Sequence, residues 1–149
     1  MGIRYEVGFA SVAAATGAAY ASFNAPTRPA RIKEIGVFAN AGTLSPIWLC
    51  RGANALVQTG TIIGNPMDAS CQLAATGCVA STWSTAPTTP SVVLRRGAIP
   101  ATAGAGLIWT FPEDLIVLNG TAAANFLVLW NPTGGSTASV LNCYICFVE

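Results

Sequence analysis

Apolar and polar residues alternate from the start of the chain. Ile3, Tyr5, Val7 and Phe9 interleave with Arg4, Glu6 and Gly8, the period of a strand with one wet face. Ala19 to Phe23 predicts a second strand, ended by Asn24-Ala-Pro-Thr-Arg-Pro29. In the third, Arg31 to Phe38, the alternation slips between Ile32 and Ile35, which places a β-bulge near Lys33-Glu34. Ser45 to Arg51 follows, with Pro46 marking its first residues or an edge. Leu56 to Ile63 contains a turn candidate at Thr59-Gly60 and stops at Gly64-Asn-Pro66.

Further on, strands are expected at Ser91 to Ile99, Gly106 to Phe111, Asp114 to Leu118, Asn125 to Trp130 and Ser139 to Val148. Phe111-Pro-Glu-Asp114 reads as a turn between two of them, and Asn119-Gly120 and Gly134-Gly135 supply further turn chemistry. Between the two groups of strands, Met67 to Pro90 is uncharged except for Asp68 and rich in Ala, Ser, Thr and Pro. It reads as a long surface excursion, with a short helix around Ala69 to Ala75 and Trp83 packed on something. Helical periodicity is otherwise missing. Short strands, frequent turn signals and nine prolines point to an all-β, antiparallel β-sandwich, and their number suits an eight-stranded jelly roll. Residues 1–149 form one domain, in which residues 1–25 serve as an N-terminal strand or as an arm exchanged with a neighbour.

The last third departs from alternation. Leu115-Ile-Val-Leu118, Phe126-Leu-Val-Leu-Trp130 and Tyr144-Ile-Cys-Phe-Val148 are apolar at consecutive positions. An antiparallel sandwich strand normally keeps one face wet, so these runs predict two dry faces. A neighbouring subunit is the expected cover; the chain's own long loop is the alternative.

Composition sharpens that expectation. The 149 residues include 7 Lys or Arg and 6 Asp or Glu, for a net charge of +1, and no histidine. Charged residues make up 9% and hydrophobic ones 52%, against about 25% charged in an ordinary soluble domain. A monomer of this mass should expose roughly 7,100 Å², so its surface is thinly charged and expected to self-associate. A surface dressed in Ser, Thr, Asn and Gly is the other way to account for it. Near-neutral charge excludes a nucleic-acid binder, which needs cations to neutralise phosphates.

The chemistry of sites is sparse. Without histidine, the serines and cysteines lack the usual activating base. Glu113 and Asp114 are adjacent in sequence and diverge on extended chain, unlike the paired carboxylates of a glycosidase. Phosphate loops, dinucleotide fingerprints and EF-hand patterns do not occur. Asn119-Gly-Thr121 fits a glycosylation acceptor, but a tight turn explains it fully. Of the five cysteines, Cys143 and Cys146 form a C-x-x-C that falls on a strand. Residues three apart on a strand face opposite sides, so they are read as buried free thiols of a reducing compartment, as are Cys50, Cys71 and Cys78. The expectation is therefore no enzyme, no cofactor and no metal. Val7 to Thr27 is too rich in Ala, Gly, Ser and Thr for a signal peptide. Turn residues also cut Leu115 to Val148 into pieces too short to span a membrane as helices.

The few charges are candidate interface residues. Arg28, Arg31, Lys33 and Glu34 cluster after Pro26, and Arg31 and Lys33, two apart, share a strand face that could meet an acidic partner. Arg95 and Arg96 point to opposite sides of their strand. Arg is the better interfacial cation because its planar fork grips carboxylates. Trp83, Trp130 and Tyr144 complete the candidate set.

Several segments carry a resemblance: Arg28-Pro-Ala-Arg-Ile-Lys-Glu-Ile-Gly-Val-Phe38, Trp83-Ser-Thr-Ala-Pro87, Ala103-Gly-Ala-Gly-Leu-Ile-Trp-Thr-Phe-Pro112 and Phe126-Leu-Val-Leu-Trp-Asn131. Together they resemble virion structural proteins of tailed bacteriophages, in particular capsid cement (decoration) proteins with a β-sandwich or jelly-roll fold. The likeness spans most of residues 28 to 131 and supplies no catalytic residue. It implies a homo-oligomer, a trimer by the family's habit, on the capsid exterior of a virion and made in the host cytoplasm. Its partner would be the major capsid protein. A head-fibre or tail receptor-binding module, with Trp83 in a loop pocket for host glycans, is the second reading. A secreted lectin-like domain, with a disulfide among Cys50, Cys71 and Cys78, is the third.

Overall fold

The computed structural model describes residues 2–117, 120, 122–132 and 138–149. Thirteen strands occur among them: β1 Arg4–Ala10, β2 Ala18–Asn24, β3 Ala30–Ala39, β4 Ser45–Arg51, β5 Val57–Thr59, β6 Ile62–Ile63, β7 Asn65–Pro66, β8 Cys78–Ala80, β9 Thr82–Thr85, β10 Val93–Ile99, β11 Gly106–Val117, β12 Leu127–Asn131 and β13 Leu141–Val148. They form a five-stranded sheet in the order β11-β3-β13-β1-β7 and a six-stranded sheet in the order β10-β4-β12-β2-β8-β6. A separate two-stranded ribbon pairs β5 with β9. All pairings are antiparallel. The chain is all-β, and no described residue is helical.

Alternation sorts the side chains as expected. On β1, Tyr5, Val7 and Phe9 are buried while Arg4, Glu6, Gly8 and Ala10 face out. The inward residues of both sheets meet in one core, including Tyr5, Phe23, Ile35, Leu49, Leu127, Ile145 and Phe147. Phe147 anchors it, stacked on Tyr5 at 5.5 Å and edge-on to Phe23 at 5.1 Å. Within the chain, residues 1–25 supply β1 and β2, each an interior strand of its sheet.

The bulge expected near Lys33-Glu34 is present. Cys146 pairs with Glu34 and Phe147 with Ile32, leaving Lys33 as the extra residue. Gly60, with φ 60°, makes the expected break between β5 and β6. Asn119, Thr121 and the Gly134-Gly135 turn lie outside the described residues.

Three expectations need correction. Residues 106–117 are one strand rather than two. The register against β3 jumps from Thr110 opposite Glu34 to Leu115 opposite Ile32, so Phe111-Pro-Glu-Asp114 is a bulge within β11, and Asp114 adopts φ 52° there. Ala69 to Ala75 is not helical. Asp68 Oδ1 accepts from the Ser70 N–H and hydroxyl at 2.9 and 2.7 Å, a local turn that competes with helix formation. Beyond it the backbone finds distant partners: Tyr5 donates to the Leu73 carbonyl and Arg28 to that of Ala74.

The third correction concerns the doubly apolar runs. Phe126 and Leu127 to Trp130 are buried throughout, as expected. Their cover comes from the chain itself. Phe126, Val128 and Trp130 join Ala19, Cys50 and Leu56 in a second apolar cluster, against which Trp48, Trp83 and Val93 pack. By contrast the apolar run Tyr144 to Val148 of β13 alternates between half-buried and buried residues, and Ile116 of β11 is 42% exposed.

Candidate functional site

The two sheets differ in what lies on their outer faces. Over the six-stranded sheet the β5–β9 ribbon is pinned by polar contacts. Trp83 Nε1 donates to Ser22 Oγ at 2.8 Å, and Gln58 Nε2 donates to the same oxygen at 3.0 Å. Below them the Cys78 thiol donates to Asn24 Oδ1 at 2.9 Å. A chain segment of Ala, Ser, Thr and Pro with one Trp thereby covers an apolar sheet face, and the buried Ser22 and Asn24 side chains find hydrogen-bond partners beneath it.

Among the described residues the five-stranded sheet has no such cover. Its outer face is laid out in rows by the strand register. Ala10, Asn142, Phe38 and Gly106 form one row; Gly8, Tyr144, Gly36 and Ile108 the next. The third row runs Glu6, Cys146, Glu34 and Thr110, and the fourth Arg4, Val148, Arg31 and Ile116. Gly8 is exposed, with open space where a side chain would stand, and Ile108 is 52% exposed. Six of the chain's thirteen charged residues lie here: Arg4, Glu6, Arg31 and Glu34 in the rows, and Lys33 and Asp114 at the β11 margin.

Tyr144 organises the centre of the face. Its ring lies across Gly36, where any Cβ would overlap it, and stacks on Phe38 with centroids 6.2 Å apart. Its hydroxyl donates to Glu34 Oε1 at 2.5 Å. That bond, more than burial, pushes the phenol up to about 12, because ionisation would set two anions side by side. Cys146, between Glu6 and Glu34, is also pushed up, first by burial and then by the two carboxylates.

At the margin, Asp114 takes both cations that share the β3 face. It pairs with Lys33, and Arg31 Nη1 stands 3.8 Å away. The acidic group that the Arg31-Lys33 spacing asks for is thus inside the chain. Next to it a cleft of about 260 Å³ opens between the edge strands β10 and β11, lined by Leu94, Arg95, Phe111 and Leu115 among others. The Arg95 guanidinium lies over the Phe111 ring at 5.4 Å.

The remaining candidates are elsewhere. Arg96 covers the Trp48 ring at 4.5 Å on the opposite sheet, so Arg95 and Arg96 do diverge as expected. Trp130 is 2% exposed beneath the β5–β9 ribbon, and Trp83 holds that ribbon down. Arg28 ties the loop after β2 to the buried carboxylate of Glu149. The residues brought together on the uncovered face are Arg31, Lys33, Glu34 and Tyr144, and sequence reasoning missed Arg4, Glu6 and Cys146 beside them. The signal was present: Arg4 and Glu6 are the outward residues of the clearest alternating strand, and charge on a wet face drew no attention.

Cys143 faces the core and Cys146 the outer face, so the C-x-x-C divides across the sheet. No cluster of three or more His, Cys, Asp or Glu that could hold a metal occurs among the described residues, and no described helix is long and apolar enough to cross a membrane. Compared with known proteins, the chain matches no family model, no curated protein and no solved structure.

Proposed function

We propose that this chain is a capsid decoration (cement) protein of a tailed bacteriophage, an eight-stranded jelly roll that binds the assembled shell as a homo-oligomer. The fold reading rests on strand order. With β5 to β9 set aside as an insertion, the remaining strands run β1-β13-β3-β11 in one sheet and β2-β12-β4-β10 in the other. Numbered one to eight along the chain, they fall in the orders 1-8-3-6 and 2-7-4-5, the arrangement that two Greek keys produce.

The observation that carries the functional reading is the outer face of the five-stranded sheet, uncovered among the described residues, in a chain that covers its other sheet with its own β5–β9 ribbon. The few charges and the exposed apolar residues Ile108 and Ile116 on β11 add to it, as does the resemblance in residues 28 to 131. The mechanism is passive. Copies that bind the closed lattice of major capsid subunits and not free subunits stabilise the lattice by linkage, and linked copies, three in the family's habit, gain avidity from weak individual contacts. No catalytic step is involved.

The test is to add purified protein to undecorated shells and measure the rupture temperature. Saturable binding with a raised rupture temperature supports the reading; a protein that neither binds nor shifts it contradicts the reading. The glycan-binding alternative leaned on Trp83 as an exposed aromatic, and Trp83 is instead committed to Ser22.

A further inference from the structure

Arg4 and Glu6 stand two residues apart on the outer side of β1, and Arg31 and Glu34 stand in the same two rows on β3. The acidic row and the basic row are therefore adjacent and parallel, about 7 Å apart along the strands. A twofold axis lying in the plane of the face and running between the rows would exchange them. It would set each Glu6 against the Arg4 of a second copy, and each Glu34 against a second Arg31. Cys146 and Val148, which occupy the middle of the two rows, would meet as the uncharged centre.

We propose that the outer face of the five-stranded sheet binds a second copy of this chain, face to face about a twofold axis, through the interleaved Arg4/Arg31 and Glu6/Glu34 rows. The inference rests on the reading of this chain as an assembly subunit and adds to it a specific occupant for the face. Charge complementarity selects the second copy. The row charges sum to zero, so the face offers no net field to an acidic or basic partner; Arg31 and Glu34 already meet Asp114 and Tyr144 within the chain, and a partner with the inverted row order supplies the counter-charges for Arg4 and Glu6. The chain itself has that order. No ion pair holds Arg4 or Glu6 among the described residues, and both are exposed. An axis between the third and fourth rows sets only those two rows of each copy opposite one another, about 260 Å² per copy at standard strand spacings, a small contact that suits weak, reversible pairing. The geometry is isologous and closes on itself, so it gives an even number of chains: two alone, or six where a threefold contact also forms.

Charge reversal tests this without touching the core, since both side chains point outward. The variants Arg4→Glu and Glu6→Arg are compared with the wild type by sedimentation over a range of concentrations. Each substitution acts twice across the axis, so each variant alone should lose at least tenfold in association. The double variant R4E/E6R, which exchanges the two β1 charges, should recover it. A one-to-one mixture of the two single variants should also associate, because the acidic β1 pair of one then meets the basic β1 pair of the other. Single variants that associate like the wild type would overturn the proposal, as would a mixture that stays apart or a wild type with an odd number of chains. Shell binding measured in parallel separates the two claims. Shells decorated alike by all variants would leave the decoration reading standing while the twofold contact fell.

Discussion

The carboxylate of Glu149, with no exposed side-chain surface, receives the Arg28 guanidinium at 2.8 Å. It also accepts from the backbone N–H and hydroxyl of Thr76 and, at 2.5 Å, from the N–H of Gly77. One side chain after β13 thus fastens the loop after β2 and the segment leading into β8. The bonds are charge-assisted, and removing the acceptor leaves two backbone N–H groups short of partners. Glu149→Ala is expected to cost about 3 kcal/mol in urea unfolding. Arg28→Ala should cost less, because Arg28 is 34% exposed and the carboxylate keeps its other donors. No loss from either would show that the clasp contributes nothing, and equal losses would overturn the ranking of the two residues.

Tyr144 links the uncovered face to pH. A phenol raised from its ordinary 10 to about 12 by Glu34 and burial stabilises the fold fully below pH 10. That contribution is lost as pH climbs through about 12. An ultraviolet titration should show one tyrosine with a midpoint near 12 that disappears in Tyr144→Phe and moves down in Glu34→Gln. Gly36→Ala should move it down as well, since its new methyl displaces the ring that reaches Glu34. A midpoint unchanged in all three would contradict the geometry.

Trp83→Ala should expose the apolar cluster beneath the β5–β9 ribbon. The expected loss is about 2–4 kcal/mol, in line with truncating a packed aromatic. It should come with new binding of a hydrophobic dye and faster proteolysis within residues 67–90. Ser22→Ala removes the acceptor without emptying the space and should show a weaker form of the same behaviour. Dye binding equal to the wild type in both would place the cover elsewhere.

The thiols should divide by burial. Burial pushes Cys50 and Cys78 up to about 11 and Cys143 up to about 12, so at pH 8 they are protonated as well as enclosed. Half-buried Cys71 lies in an irregular segment and should be alkylated first, as read by mass spectrometry of timed digests. Cys143 reacting as fast as Cys71 would contradict the packing.

How far the sequence discloses all this depends on the range of the interactions involved. The alternation of β1 and the slip at Lys33 are local, and both can be read directly. The continuity of β11 is hidden because Pro112 and the positive φ of Asp114 have the chemistry of a turn. Only pairing with β3, some eighty residues away, keeps that segment in the sheet. Residues 69 to 75 look helical by composition because alanine favours a helix, yet Asp68, Tyr5 and Arg28 take their backbone groups first. The cover over β12 was the costliest misreading. A neighbour and an internal loop leave the same doubly apolar run, and the deciding contact, Trp83 to Ser22, spans 61 residues with no periodic signal between. Face membership of Arg4 and Glu6 was legible; their alignment with Arg31 and Glu34 needed the register of three strands.

The central claim is that the outer face of the five-stranded sheet is covered in the working assembly, and Cys146, between Glu6 and Glu34, reports on it directly. Its alkylation rate should be measured in dilute protein, in concentrated protein and in protein bound to shells, with Cys71 as the internal reference. The account predicts that Cys146 slows relative to Cys71 as copies assemble. A constant ratio of the two rates under all three conditions would mean that the face stays open, and would contradict the account.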